Sequence, residues 1–253
     1  MPKGYMILSE GRSGTTWLGS LANATGLLGN SQEWLRQEFH ARPFRSMSPD
    51  AFFQKVMENG STPNGAFAVK IFPGHLLAIN RHFGFDFIQR CLKERDMRII
   101  LLTREDTMAQ AVSFARGRQT DQWTSGAAAK ADPIYDFDQI CRFYFKIRES
   151  YEFWNSYVAI HGLSASRFIY ERLVPDVTPF LRSIADFMGV ELGRTPVSPL
   201  TVQRDDLNDQ WIERFKHEIG NRNILGVVGE APVSRTSRNL MRFITKKPLI
   251  LRY

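Results

Sequence analysis

Two stretches of the chain combine residue types and spacing suited to holding an anion. The first is Gly4 to Leu18, GYMILSEGRSGTTWL. Its apolar run Tyr5 to Ser9 passes through the polar turn Glu10 to Gly14 into a segment with Leu18, Leu21, Ala22 and Thr25 at helical spacing. A strand, loop and helix in that order present unpaired backbone N–H groups and the positive end of the helix dipole, and glycine lets the loop close on a phosphate-like group with no Cβ in the way. Ser13, Thr15 and Thr16 add hydroxyl donors. Gly11 and Gly14 with no following Lys do not make the nucleotide-triphosphate loop G-x-x-x-x-G-K-[ST]. Thr15 stands where the G-x-S-x-G elbow needs its last glycine, so Ser13 is a poor nucleophile. The second stretch is RIILLTREDTMAQAVSF, in which a buried-type strand ends in Arg104 and Ser113 follows nine residues later on a helix. A guanidinium fork and a hydroxyl at a helix edge are suitable donors to a terminal, doubly charged phosphate.

The elements that must position these groups alternate. Strands are expected at Tyr5–Ser9, Gly65–Phe72, Arg98–Thr103 and Arg167–Tyr170. Helices are expected after Gly14, from Ser48-Pro49 to Gly60, over 75–95 with an interruption at Gly84, and over Asp106–Arg116. Three more follow: Phe137 to Gly162, a helix capped by Thr178-Pro179 and ended by Gly189, and Asp205 to Ile219 closed by Gly220. The aromatic stripe Phe143, Tyr151 and Trp154 reads as core. Residues 117–136 lose periodicity and read as a loop or lid. This order predicts an α/β fold, a P-loop-like three-layer domain with a central parallel sheet and helices on both faces, and ligands at the carboxyl ends of the strands.

The chain has 253 residues, 43% of them hydrophobic, and a formal net charge of +7. One α/β domain over 1–220 fits that length, with 221–253 as a basic C-terminal extension. From Gly220 onward seven Lys/Arg face the single acid Glu230, which leaves the remainder near neutral and argues against a nucleic-acid-binding face. Cys91 and Cys141 have neither metal-ligand nor disulfide-framework spacing, so no metal is expected. No apolar run approaches the roughly 20 residues of a membrane span, and Met1-Pro2-Lys3 leads straight into a strand, so a cytoplasmic setting is expected.

RSGTT at Arg12–Thr16 closely resembles the loop that grips the 5′-phosphosulfate of PAPS (3′-phosphoadenosine 5′-phosphosulfate) in sulfotransferases, and Arg104 with Ser113 is similar to their 3′-phosphate site. Gln32-Glu33-Trp34, the run Gln110 to Ser113 with Gln119-Thr120 and Gln122-Trp123, and Gln203-Arg204-Asp205 with Trp211 and Arg214-Phe215 look like the Stf0 family of bacterial sulfotransferases. Tyr170-Glu171-Arg172-Leu173 is similar to the Y-E-x-L that follows a central strand in many of them. The resemblance covers Tyr5 to about Lys216. It implies transfer of a sulfuryl group from PAPS to a hydroxyl of a carbohydrate or glycolipid, without metal. Arg12, Ser13, Gly14, Thr15 and Thr16 would hold the phosphosulfate, Arg104 and Ser113 the 3′-phosphate, and Glu33 would be the general base beside a catalytic Arg12. His40 and His75 are rival bases, and Arg235 or Arg238 a further contact to the 3′-phosphate. A homodimer and a peripheral membrane contact through the basic tail are compatible with this reading. Two alternatives differ in class. A P-loop-like phosphotransferase or nucleotide kinase lacks its Lys after Gly14 and an Asp where Arg104 stands, and a non-catalytic anion-binding module leaves both loops unexplained.

Overall fold

The computed structural model describes residues 1–36, 46–193, 196, 198, 200 and 205–229. His40, Gln203, Arg204, Arg235 and Arg238 lie outside the described residues.

Strand β1 (Lys3–Leu8) leads into helix α1 (Thr15–Ala24). Helix α2 (Pro49–Gly60) begins where Ser48 accepts the Ala51 N–H, as the Ser-Pro signal predicts, and β2 (Phe67–Ile71) follows. The expected helical region 75–95 is two helices, α3 (Pro73–Phe83) and α4 (Phe87–Glu94). Gly84 ends α3 in the left-handed conformation, and Asp86 caps α4 by accepting two backbone N–H bonds. Then come β3 (Asp96–Thr103), α5 (Thr107–Thr120), α6 (Phe137–Ile160) and β4 (Ala165–Ile169). The chain continues as α7 (Tyr170–Leu173), α8 (Thr178–Met188) and α9 (Asp206–Glu218). A 3-10 turn (Ile219–Asn221) and α10 (Ile224–Gly229) complete the described chain.

Three helix boundaries differ from the periodicity. Helix α5 runs on to Thr120, carrying the buried Gly117 and Thr120 beyond the expected end, and it stops at the left-handed Asp121. Helix α8 contains Thr178 rather than being capped by it, and Asp176 accepts the Thr178 N–H. Beyond Gly220, α10 lies against α6, with Arg142 donating to the Val227 carbonyl and Ile224 and Val227 packed on the α5–α6–α9 core.

The four strands are all parallel in the order β2-β1-β3-β4. Alternate side chains therefore supply two faces, both covered, as parallel sheets require. Met6, Leu8, Phe67, Val69, Ile71, Ile99 and Leu101 pack under α2, α3, α4 and the Trp154 end of α6. Tyr5, Ile7, Ala68, Ile100 and Leu102 pack under α1 and α8. A third core joins α5, α6 and α9, with the Phe137 and Phe215 rings stacked 4.4 Å apart. Of the α6 stripe, Ile140, Ile147, Tyr151 and Trp154 are core, and full burial of an aliphatic side chain there contributes about 1.5–3 kcal/mol, whereas Phe143 is half-buried and stacked on Phe114 at 4.4 Å.

The topology decides where a ligand can sit. From β1 the chain goes to β2 on one side, then returns across to β3 on the other. The loops leaving β1 and β3 part at that point, and the crevice between them lies at the carboxyl ends of the two central strands. Both anion-type stretches end there. No helix among the described residues is long and apolar enough to cross a membrane.

Candidate active site

The loop after β1 turns through two left-handed residues, Arg12 (φ 64°) and Gly14 (φ 89°). A side chain at Gly14 is excluded by space as well as by backbone angle, since its Cβ would stand 2.2 Å from the Tyr170 ring. Arg12 adopts a conformation costly for a non-glycine residue and keeps it because the surroundings hold the loop on every side. The Trp154 indole donates to the Ser9 carbonyl (2.8 Å), and Gln110 donates to the Gly11 carbonyl (2.8 Å). Glu10, itself buried, accepts from the Gly11 N–H and from the Ser150 hydroxyl, both at 2.7 Å. Tyr151 donates to Gln110 and accepts the Arg104 N–H, which joins this loop to the one after β3.

Helix α1 starts at Thr15 with no side-chain cap and no acid in its first turn. Its N-terminal end is thus open to an external anion. Thr15, Thr16 and Gly14 line the cleft. Ser13 is fully buried, with its hydroxyl 2.7 Å from that of Ser9, and its side chain faces the sheet rather than the cleft.

Around this opening the cations are held by named partners. Arg12 donates through Nε to the Ser113 hydroxyl (2.9 Å) and through Nη1 to the Trp123 carbonyl. Burial, reinforced by Arg104 and Arg116, pushes the Arg12 guanidinium down to about 10. Arg104 donates to Glu171 (3.1 Å) and to the Arg12 carbonyl (3.4 Å), and lies over the Tyr170 ring. Burial tends to raise the Glu171 carboxyl, but the Glu105 N–H and the Arg104 guanidinium bind it and leave it below the usual range. Trp17 and Tyr170 meet edge to face at 6.0 Å and form an apolar wall beside these charges.

Glu33 sits on the loop after α1, 18% exposed, with Arg36 at 3.4 Å and Lys70 Nζ at 3.9 Å. Lys70 is 1% exposed, and its ammonium also donates to the Thr16 hydroxyl at 3.4 Å. Burial pushes the Lys70 ammonium down from the usual lysine range, against the pull of Glu33. His75 stands at the first turn of α3, its ring 5.2 Å from that of Phe72, and both line the same cleft.

One cleft of about 1190 Å³ therefore gathers Arg12, Gly14, Thr15, Thr16, Glu33, His75, Arg104 and Ser113 from six segments of the chain. Ligand pockets commonly span about 300–1,000 Å³, so this cleft is amply of ligand-binding size. Lys70 and Glu10 escaped the reading of the sequence. For Lys70 a signal existed, because it is the one charge in the apolar run GAFAVKIF.

Fold and cleft define an α/β protein with a cleft lined by arginines, hydroxyls and a carboxylate at the ends of its central strands. The chain belongs to the Stf0 sulphotransferase family, whose model matches residues 4–218. It is similar to the trehalose 2-sulfotransferase of Mycobacterium tuberculosis (strain ATCC 35801 / TMC 107 / Erdman), at 23% identity over 85% of this chain and 94% of that protein. The trehalose 2-sulfotransferase of Mycolicibacterium smegmatis (strain ATCC 700084 / mc(2)155) is 24% identical over 86% and 96%. Among solved structures, the sulfotransferase domain of the Synechococcus PCC 7002 olefin synthase aligns with 85% of this chain and 94% of its own, at 17% identity and a TM-score of 0.40.

Gly14→Ala tests the loop geometry. The methyl meets the Tyr170 ring and the backbone must leave φ 89°. The variant should lose roughly 1–3 kcal/mol of stability, read from a urea unfolding midpoint. An unchanged midpoint would mean that the turn accommodates a side chain there.

Proposed function

We propose that the protein transfers the sulfuryl group of PAPS to a hydroxyl of a carbohydrate or glycolipid and releases adenosine 3′,5′-bisphosphate. One observation carries this reading: two anion loops at the ends of adjacent strands share a cleft with a carboxylate that is linked through Lys70 to the first loop. The two relatives named above are trehalose sulfotransferases, which supports a sugar hydroxyl as acceptor.

In this scheme the open N-terminus of α1, with Gly14, Thr15 and Thr16, receives the phosphosulfate end of the donor. Arg104 and Ser113 receive the 3′-phosphate, with Glu171 fixing the Arg104 fork. Ser13 supports the loop through its contact with Ser9. As the acceptor oxygen bonds to sulfur, the bond from sulfur to the bridging phosphate oxygen breaks and its electron pair leaves with the bisphosphate. The acceptor proton goes to Glu33. Arg12 and the loop amides stabilise charge gathering on the departing phosphate, the kind of preorganised stabilisation that supplies the largest share of many enzymatic rate enhancements. Side-chain cations occupy the place that Mg²⁺ takes in phosphoryl transfer, and no metal enters the proposal.

A cytoplasmic setting and a homodimeric assembly are both compatible with this reading. Of the basic stretch 221–253, α10 packs on the domain through Ile224 and Val227, and the charge beyond Gly229 suits contact with an anionic membrane surface.

Three outcomes test this function. Adenosine 3′,5′-bisphosphate should raise the melting temperature without added metal, and ADP should do much less. Arg104→Ala should narrow that gap, and equal stabilisation of the wild-type protein by both ligands would remove the 3′-phosphate assignment. Glu33→Gln keeps the size of the side chain but cannot take the proton, so turnover should fall by about 10²–10⁴-fold with donor affinity nearly unchanged. Near wild-type turnover would move the base to His75 or His40. Truncation after Gly229, which keeps α10 on α6, should weaken binding to vesicles containing anionic lipid, and the wild-type binding should fade as salt rises. Equal vesicle binding by both forms would dismiss the membrane contact.

A further inference from the structure

Lys70 is a costly residue to keep where it is. Lysine is almost never fully buried unless paired, yet Lys70 is 1% exposed at the penultimate position of β2. The strand register explains how it gets there. Phe67, Val69 and Ile71 point into the core beneath α2, α3 and α4, so Lys70 and Ala68 point to the opposite face, toward α1. From that face the side chain reaches Thr16 in the first turn of α1 and Glu33 on the loop that follows α1. The main chain makes the same connection, since the Lys70 N–H donates to the Gln32 carbonyl at 2.9 Å. One residue thus fixes the Glu33 segment twice, once by its backbone and once by its ammonium.

Neither ammonium contact is short. At 3.4 Å from Thr16 and 3.9 Å from Glu33, Nζ lies between the two groups rather than closing on either. A buried ion pair of this looseness is a poor source of stability, because desolvation of both charges offsets their attraction, and well-packed apolar replacements are often neutral or stabilising. A stability role leaves the lysine unexplained. Its geometry does explain something else: it sets the distance and direction between the carboxylate and the hydroxyl of the anion loop, the two groups on either side of a reacting acceptor. Arg36, the other cation on Glu33, is on the same short loop as Glu33 and so cannot set that relation to α1.

We propose that Lys70 is a positioning residue for the sulfuryl transfer, holding the Glu33 carboxylate in register with Thr16 so that the base meets the acceptor hydroxyl in line with the donor. This rests on Glu33 being the base. It also separates the roles in the cleft: Arg12, Arg104 and Ser113 serve the donor, whereas Lys70 acts through Glu33.

The test is a double-mutant cycle in the full-length protein with Lys70→Met and Glu33→Gln, singly and together. Turnover is followed as adenosine 3′,5′-bisphosphate released from PAPS in the presence of the acceptor that the wild-type protein uses. Lys70→Met should lower kcat on the order of 10–100-fold, the penalty of a base displaced by about an ångström. KM for PAPS and affinity for adenosine 3′,5′-bisphosphate should stay within about twofold, and the protein should stay folded with a lower melting temperature, because Glu33 loses one cation but keeps Arg36 and partial exposure. In the Glu33→Gln background the same substitution should cost less than about threefold, since residues that act through one another are not additive. A full penalty in that background, or a parallel loss of PAPS affinity, would overturn the inference and make Lys70 a direct donor contact. Loss of folding in Lys70→Met, repeated in Lys70→Gln, would also overturn it, by making the residue structural. Wild-type turnover in Glu33→Gln alone would instead defeat the assignment of the base, so the two failures are told apart.

Discussion

The structure depends on one constraint: the turn from β1 into α1 holds a conformation the chain would not choose by itself, and leaves the first turn of α1 without a side-chain cap. Left-handed backbone at Arg12 and Gly14 curls the loop so that the first turn of α1 faces the crevice. Such a turn persists only where the surroundings over-determine it. Helices α5 and α6 do that from behind through Gln110, Ser150 and Trp154, and Tyr170 closes the front against Gly14. The long α6 is thus more than a cover for the sheet, because the same helix that buries Trp154 in the core sends its indole N–H to the Ser9 carbonyl.

Charge in the cleft follows a related logic. Arg12, Arg104 and Arg116 repel one another enough to lower the proton affinity of Arg12, after burial has already lowered it. Each is nevertheless held by a fixed acceptor: Ser113 for Arg12, Glu171 for Arg104, and Asp205 with Asn208 for Arg116. An anion arriving among such groups meets donors already oriented, and it relieves their mutual repulsion. That is the physical content of preorganisation. The bidentate Arg116–Asp205 pair also ties α9 to α5, so the charges of the site and the packing of the third core are parts of one arrangement.

Several features were legible from residue order. The number and order of the strands, the glycine terminators Gly84 and Gly189, and the Ser48-Pro49 start follow from local sterics, capping and periodicity and are found in the structure; β4 is shifted to Ala165–Ile169, and Tyr170, expected to end it, opens α7. The Stf0 resemblance in RSGTT, Gln32-Glu33-Trp34 and the Arg104 to Ser113 stretch agrees with the family match over residues 4–218. Helix ends were less legible. The extension of α5 to Thr120 and the addition of α10 go with tertiary burial, of Gly117 and Thr120 in the one case and of Ile224 and Val227 against the third core in the other, which periodicity does not record.

The sequence by itself determined the alternation of elements, the family and the residue types at the anion loops, because those are properties of neighbours along the chain. Only the tertiary structure decided how the groups are aimed. It turned the Ser13 hydroxyl inward to Ser9 and bound Arg12 to Ser113, two residues that the sequence reading had assigned to different ends of the donor. It also set Lys70 between Glu33 and Thr16. The reason is physical. Which face of a strand a side chain takes follows from register and from the layer that covers it, and the direction of a buried charge follows from the few partners that can offset its desolvation, all of them distant in sequence.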